Sequence, residues 1–155
     1  MRLDKKYKIE EAAAGKKEDR DILKSILIED TKAIATNGKI LAMVPVQTEE
    51  ETGNSIKALD LKFQRSNPKS KGSDSVFATL EPLEGQFLNY KVVFPEGHPK
   101  FTICIDVALL VRLSKALGSE AVQLEFHGSD RSFKVLPYDI RNTAEGIMLP
   151  IKPRK

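Results

Sequence analysis

The chain has 155 residues, 41% hydrophobic and 30% charged, with a net charge of +3 at neutral pH. That length suffices for one domain with a buried core. No stretch reaches the roughly 18 apolar residues a membrane span requires, and MRLDKKYKIEE at the start lacks the apolar core of a secretory signal, which predicts a cytoplasmic protein with no membrane partner. The single cysteine, Cys104, excludes an internal disulfide and reads as a small buried hydrophobe in a reducing compartment.

In chain order, Tyr7 to Ala14 fits either a first strand or a short helical turn, and Gly15 breaks it before the charged loop KKEDRD. Ile22 to Glu29 predicts a strand with Ile26 and Ile28 on one side and Leu27 on the other. Asp30-Thr31 then turns into a second strand, Lys32 to Thr36. Asn37-Gly38 predicts a hairpin tip of type I′, whose two central residues need positive φ. The returning strand is Lys39 to Val46, with Pro45 marking an edge or the end of the strand because proline cannot donate to a ladder. Gln47 to Ser55 is a polar loop, and Ile56 to Phe63 reads as a further strand. Arg65 to Asp74, RSNPKSKGSD, has the composition of a mobile basic loop. Ser75 to Leu80 and Gln86 to Phe94 read as two more strands.

The strongest local pattern runs from Phe101 to Val122. A short apolar strand, Phe101 to Ile105, is followed by the N-cap residue Asp106 and a helix that stops at Gly118, a left-handed cap. Leu109, Leu110, Leu113, Ala116 and Leu117 share one face at helical spacing, and Ala108, Arg112, Lys115 and Ser119 share the other. Strands follow at Val122 to Phe126, Ser132 to Leu136 and Gly146 to Ile151. Short strands joined by tight turns predict an α+β fold. This is an antiparallel sheet packed against one principal helix in a single domain over 1–155, with 65–74 a mobile loop and 152–155 a basic tail.

No constellation predicts catalysis, a metal or a cofactor. His98 and His127 have no cysteine or histidine near them at zinc-ligand spacing. The clustered acids Glu10-Glu11, Glu18 to Asp21 and Glu49 to Glu51 read as solvated, without the burial that tunes a general acid. Arg112 and Lys115 fit either an ordinary solvated helix face or a phosphate contact, and Lys69 and Lys71 fit the same two readings. Aromatic interleaving that stacks single-stranded bases is missing from the sequence pattern, so nucleic-acid contact would go to the backbone.

Three stretches resemble the DNA sliding clamps, specifically the bacterial polymerase III β subunit. IEDTKAIATNGKILAMVPV is similar to the clamp hairpin, and LEGQFLNYKVVFP resembles its E-G-x-F-P-D-Y segment. FTICIDVALLVRLSKALGSEAVQLEF with EGIMLPIK resembles a clamp helix, its following strands and the closing strand. The resemblance implies a non-enzymatic, DNA-associated clamp-like module, a processivity or tethering factor in replication or repair. It implies weak, non-specific contact with duplex DNA through Arg112, Lys115, Lys69 and Lys71. It also implies a groove for partner peptides of replication or repair proteins, matched here by Thr36, Gly38, Leu41, Val93, Ile147 and Leu149. Clamp rings contain six domains, so the resemblance implies for a one-domain chain either a homo-oligomer of six copies or no closed ring at all. The alternative is a protein-interaction domain on a clamp-like scaffold that does not bind DNA.

Overall fold

The computed structural model describes residues 1–48, 53–67 and 73–152. The chain divides into two compact units, Met1–Pro95 and Glu96–Lys155. The boundary falls in PEGHPK, where the sequence shows a turn and no linker composition. Among the described residues the fold is α+β, with two α-helices and ten strands, and every strand pairing is antiparallel.

The first unit contains β1 (Arg2–Asp4), β2 (Ser25–Glu29), β3 (Lys32–Thr36), β4 (Leu41–Pro45), β5 (Asn54–Lys57), α1 (Ala58–Ser66), β6 (Ser75–Phe77) and β7 (Glu81–Pro82). Five strands form one sheet in the order β4-β3-β2-β5-β7, and β1 pairs with β6 in a separate ribbon. β2 is central and buried on both sides, as its alternation predicts. Ile26 and Ile28 join Ala33, Ala35, Ile56, Leu61, Leu3 and Val76 in the larger core. Leu27 and Ile34 face the opposite way, under Phe87. Each isoleucine, leucine or valine side chain among these contributes about 1.5–3 kcal/mol by leaving water. β4 lies at the sheet edge, in agreement with Pro45.

Several elements differ from expectation. The tight hairpin is at Asp30-Thr31, between the paired Glu29 and Lys32, with Asp30 at φ 55°. The Asn37-Gly38 tip is instead a four-residue loop between paired Thr36 and Leu41, and of the two only Gly38 has positive φ, at 86°. The Asn37 carboxamide oxygen accepts from Lys39 N at 2.9 Å and Ile40 N at 3.0 Å, so this loop closes on a side chain rather than as type I′.

The strand predicted over Ile56 to Phe63 ends at Lys57, and α1 begins at Ala58. Leu59, Leu61 and Phe63 fit the alternation of a strand, whereas Ala58 and Leu61 fit the three-residue step of a helix, and burial of Ala58 and Leu61 with Leu59 and Phe63 exposed selects the helix. This second helix also corrects the expectation of a mobile loop from 65, because Arg65 and Ser66 form its last turn. Asn67 then turns extended, at φ −64° and ψ 129°, as residues before proline do. The strand predicted over Gln86 to Phe94 is absent; Tyr90–Val93 is a 3₁₀ turn, and the Phe87 and Tyr90 rings cap the β2–β3 face.

The second unit contains α2 (Val107–Ala116), β8 (Val122–Glu125), β9 (Phe133–Pro137) and β10 (Gly146–Met148), with sheet order β10-β9-β8. Asp106 caps α2 as predicted, accepting from Ala108 N at 2.9 Å and Leu109 N at 3.1 Å. At the other end Gly118 adopts φ 66°, Gly118 N donates to Lys115 O, and Ser119 N donates to Ser114 O, the paired bonds of a Schellman motif. Phe133, Val135, Met148 and Leu117 are buried, with Leu110, Leu113, Ile103 and Ile105 half-buried around them. Phe101 to Ile105 does not form the predicted strand, although Ile151 N donates to Cys104 O at 2.9 Å.

Candidate nucleic-acid interface

α2 packs its Leu110, Leu113 and Leu117 stripe against the sheet, with Leu113 lying so close to Gly146 that a Cβ there would stand 3.0 Å from its side chain. Leu109 and Ala116, expected on the buried stripe, are exposed, because they lie on the flank of the helix, about 100° per residue away from its centre. Arg112 and Lys115 are exposed on the solvent side, one turn apart, and neither forms a salt bridge among the described residues. Val107 and Val111 are exposed beside them, at 67% and 46%. The surface is a cationic pair on an otherwise apolar helix flank. Such a pair can meet a phosphate backbone, but it carries no donor or acceptor pattern that reads bases. Lys69 and Lys71 lie outside the described residues.

The six residues matched to a clamp peptide groove divide between the units. In the first unit Thr36 is buried, and its hydroxyl donates to Ile40 O at 2.6 Å and accepts from Gly38 N at 3.1 Å, so it holds the hairpin loop. Gly38 is exposed at that loop's tip. Leu41 is half-buried against the Leu27–Ile34–Phe87 cluster. Val93 is 65% exposed on the 3₁₀ turn, next to the exposed Val92 and Phe94. In the second unit Ile147 and Leu149 are 71% and 70% exposed, and Ile147 pairs across the sheet with Lys134 on the face opposite α2.

Two charged arrangements in the first unit escape sequence inspection. Glu10, expected to be solvated, is buried, and both its oxygens meet Arg65, at 2.6 Å to Nε and 2.9 Å to Nη2. Arg65 also donates to Lys5 O and Tyr7 O. Glu29 holds the 3₁₀ turn to the β2–β3 hairpin, accepting from the Lys91 ammonium at 2.6 Å and the Tyr90 hydroxyl at 2.7 Å. The Lys91 ammonium and then the Tyr90 hydroxyl hold the Glu29 carboxyl below its ordinary range. Burial, reinforced by that carboxylate, raises the Tyr90 phenol.

A cavity of about 630 Å³ in this unit carries Lys24, Lys62, Asp21 and Glu11 on its wall. These charges cancel in pairs, Lys24–Asp21 at 2.6 Å and Lys62–Glu11 at 3.1 Å. The wall hydroxyls of Ser25 and Ser55 donate to the carbonyls of Asp21 and Glu81. His98 and His127 are exposed, and among the described residues no group of three potential metal ligands assembles. No helix among them is long and apolar enough to cross a membrane. No protein-family model matches the chain, and no curated protein matches it in sequence.

Proposed function

We propose that this chain is a non-enzymatic, DNA-associated module of the sliding-clamp kind, a processivity or tethering factor for replication or repair proteins. The observation that carries the reading is the solvent side of α2, where Arg112 and Lys115 stand exposed, with no salt bridge among the described residues, while the leucines opposite hold the helix to its sheet. The resemblance of the hairpin, the LEGQFLNYKVVFP segment and the α2 region to clamp segments supports it. The mechanism is electrostatic and insensitive to base sequence: ammonium and guanidinium groups replace counterions along the duplex. Two cations on one chain neutralise few phosphates, so the affinity of one chain is low, and its fall with salt steepens in proportion to the number of phosphates that several copies neutralise. A ring of several copies multiplies the contacts.

The test is duplex binding at low ionic strength by fluorescence anisotropy, repeated with Arg112→Glu and Lys115→Glu together. The expected result is binding that fades as salt rises and is abolished in the double variant, with the melting temperature unchanged because neither side chain is buried. Wild-type binding by the double variant would end the DNA reading for this face. The second reading, a protein-interaction domain without DNA contact, is favoured by the exposed Val92, Val93, Ile147 and Leu149. It predicts no salt-sensitive DNA retention at all.

A further inference from the structure

β1 pairs with β6 so that Arg2 stands opposite Phe77 and Asp4 opposite Ser75. On its other side Arg2 bridges to Gln47 through two backbone bonds, Arg2 N to Gln47 O at 2.7 Å and Gln47 N to Arg2 O at 3.0 Å. Residues paired across antiparallel strands share a face, so Phe77, Arg2 and Gln47 form one continuous row. Leu3 and Val76 point the opposite way into the core, which pins the register and keeps the row outward.

The row presents an aromatic ring, a guanidinium and a carboxamide in sequence across about 10 Å, two interstrand spacings. Phe77 is 62% exposed, far more than a phenylalanine in a packed sheet, and the Arg2 guanidinium carbon lies 5.9 Å from its ring centroid. The Arg2 Nε donates to Ser75 Oγ at 3.0 Å, which holds the guanidinium in place. Depressions of about 280 Å³ and 620 Å³ lie on either side of the row and share Arg2, Val46 and Gln47. The smaller continues to Tyr7, whose ring carries the Lys6 ammonium 4.8 Å from its centroid. Of the charged side chains lining the two depressions, Arg2 and Lys6 are cationic and Asp4 is anionic, and the Lys6 ammonium lies 3.3 Å from the Asp4 carboxylate.

We infer that this face is a subsite for one or two nucleotides of a single-stranded nucleic acid. A base stacks on the Phe77 ring beside the Arg2 guanidinium, the Gln47 carboxamide meets the base edge, and the Lys6 side passes the phosphates. A π-face accepts any base, and an unstacked base is available only in a single strand, so duplex is disfavoured here. The site is distinct from the α2 face and does not rest on the duplex reading.

The chain contains no tryptophan, so Phe77→Trp introduces the single indole of the molecule, on the proposed stacking position. The experiment titrates a short oligothymidylate, thymidine monophosphate and inorganic polyphosphate against the full chain, by anisotropy and by indole emission. The oligothymidylate is expected to bind wild type and to quench the Phe77→Trp emission, and Phe77→Ala is expected to weaken binding by roughly tenfold or more. The Arg112→Glu, Lys115→Glu double variant is expected to bind the oligothymidylate as wild type does. Quenching by the monophosphate equal to that by the oligomer at the same base concentration would overturn the strand in favour of a free nucleotide. Displacement by polyphosphate with Phe77→Ala unimpaired would show charge alone and overturn stacking. If Phe77→Ala lowers the melting temperature, the indole readout decides, and an unquenched indole overturns the site.

Discussion

The carboxylate of Glu10 and the guanidinium of Arg65, 55 residues apart, close on each other through two contacts of 2.6 and 2.9 Å. Glu10 comes from a 3₁₀ turn at Ile9–Glu11 and Arg65 from the last turn of α1, and the Glu10 side chain is 2% exposed. Two charge-assisted bonds, with two further carbonyls on the guanidinium, replace the water both ions lose.

Removing one partner strands the other. Arg65→Ala is expected to cost about 3–5 kcal/mol, because it leaves an uncompensated buried carboxylate. Replacing both by methionine is expected to recover most of that loss. Chemical denaturation of the three proteins measures both values, and equal losses for the single and double variants would mean the ion pair is not the source.

Leu113 and Gly146 are coupled by contact. Leu113→Ala is expected to cost about 1–2 kcal/mol, below the full core range of about 2–5, because the side chain is only half-buried. Gly146→Ala pushes a methyl to within 3.0–3.2 Å of the Leu113 side chain and is expected to cost about 1 kcal/mol. In the Leu113→Ala background that cost vanishes. A double-mutant cycle showing simple additivity would refute the contact.

Asp106→Ala removes the acceptor for two first-turn amides of α2 and is expected to cost about 1 kcal/mol, while Asp106→Asn retains most of the stability. Amide exchange at Ala108 and Leu109 provides the local readout: faster exchange in the alanine variant, near wild type in the asparagine variant.

The Glu29 contacts make stability depend on pH in two windows. The folded Glu29 carboxyl titrates below its unfolded value, chiefly through Lys91 and then Tyr90. Its contribution is therefore complete above about pH 4.3 and is lost as pH falls through the folded value. Tyr90 titrates above its unfolded value through burial and then Glu29. Its contribution is complete below about pH 10 and is lost as pH rises through the folded value. The difference in melting temperature between wild type and Lys91→Ala should accordingly be present at neutral pH and close in acid. A difference independent of pH would place the Lys91 effect elsewhere. Salt should shrink it, because the Lys91 side chain is 67% exposed.

Local chemistry was legible wherever a short segment settles its own conformation. The Asp106 cap, the left-handed Gly118, the opposed faces of Ile26, Ile28 and Leu27, and the edge position of Pro45 all follow from residue type and period alone. The outward placement of Arg112 and Lys115 follows in the same way, since the leucines opposite must leave water. Ala58 and Leu61 show where that reasoning ends. Their three-residue step satisfies a helix while the alternation of Leu59, Leu61 and Phe63 satisfies a strand, and only the core formed with Ile9, Val76 and Leu80 decides between them. Glu10 looks like a solvated charge in sequence because its partner Arg65 lies 55 residues away, and only the fold brings the two together. Phe77, Arg2 and Gln47 are scattered over 75 residues, and antiparallel pairing, a long-range backbone event, sets them in one row. The sequence by itself determined periods, caps and turn residues, whose energies are local. Which strands pair, and so which side chains become neighbours, was decided by tertiary burial, where contacts far apart in the chain compete for the same apolar surface.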